Sequence, residues 1–323
     1  MPTITYENQQ ITLHDQQNLL EGLEQAGVEV PCSCSSGVCQ GCMAQALKGS
    51  IPPAAQIGLS ANQRRLNYFL TCQCYPKSDL HFTLTNNLES RATATLVEKR
   101  VLNQRVLMVR FKADIDWRAG QHVIIWRTET RGRAYSIASS PDEGYVELHV
   151  RRRPNGLVSH WLEHELELGG HCQFSPATGD TYYSPAMPGQ PVLLVGTGTG
   201  LAPLSGILRQ ALNEGHHGDI YLYAAAGEPQ YLYLLDELTE LAQKHQALHF
   251  FPVVHRNPDQ QPNLLEGDLV DLIPQRHPKL RRHLVYLCGA QPMVEVLKEY
   301  CFYSGALMED IFVKTFSPGG VGG

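Results

Sequence analysis

The sequence predicts a multidomain chain: a small β-rich domain built around a cysteine loop, then an antiparallel β-barrel, then an α/β domain with a parallel sheet. Three observations lead there. Six of the nine cysteines (Cys32, Cys34, Cys39, Cys42, Cys72, Cys74) fall in the first quarter of the 323 residues. The middle of the chain breaks into short strand-like runs separated by turns. From Pro191 onward apolar strands alternate with long amphipathic runs, the texture of a parallel α/β domain. Length agrees, because single cores rarely grow past roughly 250 residues.

In order along the chain, residues 4–7 and 11–14 read as a β-hairpin, and Leu19, Leu20, Leu23 and Ala26 repeat at helical spacing before Gly27, a helix cap. The cysteine loop follows. The polar, turn-rich stretch 85–91 closes a first domain of residues 1–88. Strand-like runs at 106–111, 122–126 and 145–150 place the barrel in residues 91–185. Strands at 192–195, 220–223 and 284–287 place the α/β domain in residues 188–317, ahead of a frayed glycine-rich tail.

Composition excludes whole classes of function. A net charge of −6 without a basic block lacks the electrostatic footprint of a nucleic-acid or anionic-membrane binder. The N-terminus has no basic patch followed by an apolar run, and nowhere do 18 apolar residues follow one another. The expectation is a cytoplasmic monomer that does not enter a membrane. Clustered cysteines in such a chain point to metal ligation rather than disulfides.

Cys34, Cys39, Cys42 and Cys72 stand as C-x₄-C-x₂-C-x₂₉-C, the plant-type [2Fe–2S] spacing. Four thiolates must converge on two irons, and the small residues Ser33, Ser35, Ser36, Gly37 and Gly41 let backbone N–H groups approach the sulfurs. A structural zinc site is the rival, but it usually pairs two C-x₂₋₄-C knuckles, and here the fourth cysteine stands alone. Cys32 and Cys74 read as packing thiols.

Arg133-Ala134-Tyr135-Ser136 and Gly156-Leu157-Val158-Ser159 lie in the barrel region. With them the chain resembles the ferredoxin–NADP⁺ reductase superfamily, and within it the [2Fe–2S]/flavin/NADH reductase components of bacterial ring-hydroxylating and other oxygenases. The resemblance implies a β-grasp plant-type ferredoxin domain, a flavin-binding barrel and an NAD-binding domain. It gives Arg133 the flavin phosphates, Tyr135 the isoalloxazine ring and Ser136 the flavin N5, with the Gly156–Ser159 turn receiving the second phosphate and FAD favoured over FMN. Physically, a guanidinium pairs phosphate oxygens and an aromatic ring covers a flat heterocycle. Ser175-Pro176-Ala177-Thr178-Gly179 departs from the G-P-x-G stretch common in the family.

After the strand at 192–195 comes Gly196-Thr197-Gly198-Thr199-Gly200-Leu201-Ala202-Pro203, which resembles the superfamily's G-T-G-x-A-P turn, where glycines admit a dinucleotide to a helix N-terminus. Cys288-Gly289-Ala290-Gln291-Pro292 resembles the second motif, whose cysteine lies beside the nicotinamide and whose glycine leaves room for the ring. Glu228, at the end of the strand from Asp219, suits a free ribose hydroxyl, and no Lys or Arg lies between Asp219 and Gln243. That predicts NADH. Near the chain end the resemblance gives Phe316 the role of an aromatic lid over the flavin.

The implied activity is electron transfer from NADH through FAD and the cluster to a terminal oxygenase or a small ferredoxin. A reductase for a deoxysugar-type dehydratase is an alternative, and a redox-sensing or docking module is another of a different class. Residues 1–88 hold four Lys/Arg against six Asp/Glu, a balance that predicts docking not dominated by charge.

Overall fold

The computed structural model describes residues 2–14, 16–32, 37, 39–85 and 90–316. Near the N-terminus, β1 (Ile4–Tyr6) turns at Glu7 and Asn8 into β2 (Gln9–Ile11). The second strand therefore lies two residues ahead of the predicted 11–14. Glu7 takes φ 51°, so two residues suffice for the reversal and Tyr6 pairs directly with Gln9. Then come α1 (Leu19–Gln25), β3 (Met43–Gly49), α2 (Ala61–Arg65), β4 (Tyr68–Leu70) and β5 (Leu80–Leu84).

The sheet order β2-β1-β5-β3-β4 is mixed, with β1 and β5 parallel. Leu19, Leu20 and Leu23 of α1 fill its concave face together with Phe69 and Phe82, the β-grasp arrangement. Asn18 caps α1 with a reciprocal Glu21 bond, and Gly27 ends it at φ +78°.

The barrel comprises β6 (Ala92–Asn103), β7 (Val106–Ala113), β8 (His122–Trp126), β9 (Gly132–Ser136), β10 (Val146–Arg151), the short α3 (Ser159–His164) and β11 (His171–Phe174). Every pairing in the order β10-β7-β6-β11-β8-β9 is antiparallel, and a bridge from Ile137 to Leu148 brings the ends together.

The third region holds β12 (Val192–Thr197), α4 (Leu201–Asn213), β13 (Ile220–Ala226), α5 (Leu235–Lys244), β14 (Leu248–Val254), β15 (Leu265–Glu266), α6 (Leu269–Arg276), β16 (Leu284–Gly289), α7 (Gln291–Tyr303) and β17 (Ile311–Thr315). Its sheet is parallel throughout, ordered β15-β14-β13-β12-β16-β17. The order reverses between β12 and β16, and the crevice at the carboxyl ends of those two strands is where doubly wound sheets bind ligands. Both glycine motifs lie there. Among the described residues no helix is long and apolar enough to cross a membrane.

Candidate functional site

A cleft of about 1420 Å³ opens between the barrel and the parallel sheet. From the barrel its wall takes Arg133, Ala134, Tyr135 and Ser136 of β9 and the turn Gly156, Leu157, Val158 and Ser159. From the sheet it takes Thr197, Gly198 and Thr199 after β12, Gly289 after β16, and Phe316 after β17. Two motifs separated by some sixty residues of sequence thus share one cavity.

Local physics explains each contribution. β9 pairs with β8 through Arg133 to Ile125 and Ser136 to His122, which fixes the motif's register. The Ser136 hydroxyl is buried and has no hydrogen-bond partner among the described residues, a cost that a ligand in the cleft would remove. The desolvated phenol of Tyr135 has a raised pKa, so it stays neutral against the cavity. A Cβ on Gly156 would run into the Ser159 hydroxyl, so glycine lets that hydroxyl keep its place at the turn before α3. A Cβ on Gly200 would strike the Cys288 carbonyl, so the start of α4 can lie against β16 only without a side chain.

The wall also holds residues that the sequence motifs do not contain. Arg105, Arg151 and Arg153 line the cleft. Burial, then the charges of Arg153 and Arg105, lowers the pKa of Arg151. Three guanidiniums held together in this way suit an anion such as a dinucleotide diphosphate. Arg152, between them and just past the end of β10, pairs instead with Glu163. Arg105 stacks on Tyr231 at 3.2 Å, and His255 borders the same end of the cleft. With an unpartnered buried hydroxyl, an aromatic ring and a cationic wall, the cavity fits FAD and a nicotinamide nucleotide.

Two predicted residues stand behind the wall. Cys288 is fully buried among core residues, burial pushes its thiol up to about 12, and its neighbours Gly289 and Ala290 form the surface. Glu228 is half-buried and accepts the Gln230 amide at 2.6 Å, while Ala225, Ala226, Gly227 and Tyr231 line the cleft. Gly196 and Gly200 likewise shape the turn without facing the cavity.

Beneath Cys288 lies a buried cation. Lys314, its partner across β16 and β17, donates to the Gly120 carbonyl of the barrel at 2.8 Å. Burial lowers its pKa to about 8, against the opposing pull of Cys288 and Asp180. His122, pushed down to about 3 by burial and by Lys314, is neutral beside it.

The cysteine loop packs on the outer side of the same barrel strands. Cys39 lies against Ile124, Trp126 and Ala134, and the Cys32 N–H donates to the Thr130 carbonyl at 3.3 Å. Ala134 sits between Arg133 and Tyr135, so the loop and the cleft are one strand apart. Cys39, Cys42 and Cys72 are buried; Cys34 lies outside the described residues. The Gly41 N–H donates to the Cys39 sulfur at 3.5 Å and the Gln73 amide to the Cys72 sulfur at 3.7 Å.

A hydrogen bond to Cys72, with burial, raises the Cys42 thiol well above its ordinary pKa. Two sulfurs crowded in a dry pocket ionise together only beside a metal cation, and these donors fit the cluster. Among the described residues no three His, Cys, Asp or Glu side chains gather into a metal site, the Cys34 position being outside them. Cys74 is buried in the core, its thiol pushed up to about 12 by burial, as a packing residue should be.

Comparison with known proteins matches residues 3–77 to a 2Fe-2S iron-sulfur cluster binding domain, 93–183 to an oxidoreductase FAD-binding domain and 194–299 to an oxidoreductase NAD-binding domain. The chain is 31% identical over 94% of its length to the ferredoxin--NAD(P)(+) reductase component of the naphthalene 1,2-dioxygenase system of Pseudomonas putida, covering 94% of that protein. It is 33% identical over 86% of its length to an aromatic O-demethylase reductase subunit of Amycolatopsis, covering 87% of it. Among solved structures it superposes on the Amycolatopsis cytochrome P450 reductase GcoB with a TM-score of 0.70 at 29% identity, over 98% of this chain and 99% of that one.

Proposed function

We infer that electrons leave this chain for a terminal oxygenase or its small ferredoxin, the premise being that the chain belongs to the iron–sulfur flavoprotein ferredoxin–NAD(P)⁺ reductases that serve as components of oxygenase systems. When bound, NADH would supply one hydride carrying two electrons, FAD would take up that pair and part with it singly, and the [2Fe–2S] cluster would carry one electron at a time. The observation that carries the reading is that the cysteine loop and the cleft both border β9, Cys39 packing on Ala134 and Arg133, Tyr135 and Ser136 lining the cleft.

In this reading Arg133 and the Gly156–Ser159 turn hold the FAD phosphates, Tyr135 covers the ring, and Ser136 offers its unpartnered hydroxyl to it. Thr197, Gly198, Thr199 and Gly289 make room for the nicotinamide nucleotide. Phe316 closes the cleft, and Cys288 supports that floor from behind. Cys34, Cys39, Cys42 and Cys72 hold the cluster. The domains follow the three sheets, at 1–88, 91–185 and 188–317. The chain works as a cytoplasmic monomer, where NADH is at hand and thiolates stay reduced.

NADH is favoured over NADPH on the carboxylate of Glu228, with Arg105 and His255 bordering the same end. Glu228→Lys should raise activity with NADPH relative to NADH; an unaltered ratio removes that role. For the outlet itself, Cys39→Ser should abolish NADH-dependent reduction of cytochrome c while ferricyanide reduction persists. Retained cytochrome c reduction would make the cluster a sensor or docking module instead.

A further inference from the structure

Residues 1–29 carry five carboxylates, Glu7, Asp15, Glu21, Glu24 and Glu29, and no Lys or Arg. Residues 30–78, which hold the whole cysteine pattern, carry four cations, Lys48, Arg64, Arg65 and Lys77, and no Asp or Glu. The near balance over the domain conceals two sharply segregated halves.

The fold keeps the halves apart. The acidic helix α1 lies on the barrel side, where Glu24 reaches Arg131 at 3.9 Å. The basic helix α2 meets the chain just after Cys39. There the Gln63 amide donates to the Gln40 carbonyl at 3.3 Å, and the Gln40 amide donates to the Gly58 carbonyl at 3.0 Å. Arg64 and Arg65 are exposed, and among the described residues neither forms an ion pair. Beside them Ile57 is 72% exposed and Leu66 57% exposed.

Large aliphatic side chains held in water next to unpaired guanidiniums have the make-up of a docking face, with an apolar centre and a charged rim. The approach is also constrained. The barrel covers Cys39 through Ile124 and Trp126, whereas α2 meets the next residue, Gln40.

We propose that this flank, formed by Ile57, Arg64, Arg65 and Leu66 beside Gln40, docks the electron-accepting protein, and that this partner presents an acidic rim around an apolar centre. The proposal rests on the reading of the cysteine loop as the electron outlet. A single-sign patch steers an oppositely charged partner and raises its association rate, an effect that salt screens.

The test uses the holoenzyme with two protein acceptors of opposite charge as probes, an acidic plant-type ferredoxin and basic cytochrome c. At about 10 mM salt, Arg64→Glu/Arg65→Glu should raise the KM for the ferredoxin ~10-fold and lower it for cytochrome c. The contrast should shrink at about 100 mM, where the screening length falls from about 30 to about 10 Å. Lys48→Glu/Lys77→Glu makes the same change in net charge at the far end of β3; it should move both KM values clearly less than Arg64→Glu/Arg65→Glu does, and by no more than about twofold at about 100 mM. The cluster's visible spectrum and stopped-flow flavin reduction by NADH verify that each variant is intact. A ferredoxin KM that ignores Arg64→Glu/Arg65→Glu, or that responds equally to both pairs, overturns the surface and leaves the outlet standing. Undiminished reduction of both proteins by Cys39→Ser would instead sink the outlet reading, and this surface with it.

Discussion

Lys314 puts a charge where the fold disfavours it, and the sign of its effect on stability follows from its pKa. Its folded value of about 8 lies below the ordinary 10.5, so between those pH values the unfolded chain binds more protons than the folded one. Stability therefore rises with pH across that window, and the full penalty is present below it. The groups facing the ammonium are Cys288, Asp180, His122 and the Gly120 carbonyl. Lys314→Met should remove the slope, so the melting temperature of the variant minus that of wild type should fall as pH rises from 8 to 10; a constant difference would contradict it. The cysteines give a second residue-scale prediction. Cys72→Ser should lose the cluster's visible absorption and reduced-state paramagnetic signal, while Cys74→Ser, altering a core thiol, should keep both. The reverse pattern would move the fourth ligand to Cys74. Ligand spacing and the Arg133–Ser136 motif were legible because their chemistry demands fixed residue types at fixed separations. Arg105, Arg151 and Arg153 were not, since they become one cationic wall only after two hairpins fold together. The run Arg151, Arg152 and Arg153 at the end of a strand was the available signal.

Among the elements, β12 and β16 were readable as apolar runs, and the glycines after each could be assigned to a crevice because strand ends at a reversal of order leave one. The second strand of the first hairpin was misplaced by two residues, because a positive φ at Glu7 allows a tighter turn than polar composition suggests. What no single element announces is how α4 holds the barrel. Its Arg209 donates to Glu147 at 3.0 Å and to Glu143 and the Ala138 carbonyl. Glu147, 2% exposed, also takes Arg110 at 2.7 Å and His149 at 3.1 Å. His149 in turn meets the hydroxyl of Tyr233 from the other domain at 3.2 Å. Although burial opposes it, these partners lower the Glu147 pKa to about 2. Arg209→Gln takes away a cation that joins the two domains and leaves two partners for a buried carboxylate. The cost should be about 3 kcal/mol, the low end for breaking a buried pair, seen as a lower midpoint in denaturant unfolding. A midpoint within error of wild type would show that Arg110 and His149 suffice.

At the scale of the whole molecule, the cleft exists because the barrel and the parallel sheet meet, and β17 is tied to both. Lys314 anchors it to Gly120 of the barrel, and the Phe316 N–H donates to the Gly289 carbonyl at 2.9 Å. Phe316 therefore hangs at the cavity rim opposite β9, together with Gly289 and Thr197. An aromatic ring there stacks favourably on a flat heterocycle, by about 0.5–1.5 kcal/mol beyond its buried area. The same ring occupies the face that the nicotinamide must reach, so it has to move before hydride can pass. Removing it should tighten nicotinamide binding by the stacking energy no longer displaced. Phe316→Ala should lower the Kd for NAD⁺ by roughly 2- to 10-fold, with FAD content and cluster absorbance unaltered. Rapid mixing with NADH should show flavin reduction saturating at lower NADH concentration. An unchanged Kd together with an unchanged reduction rate would reduce Phe316 to an edge residue of the last strand, and the lid would have to be sought elsewhere on the cleft wall.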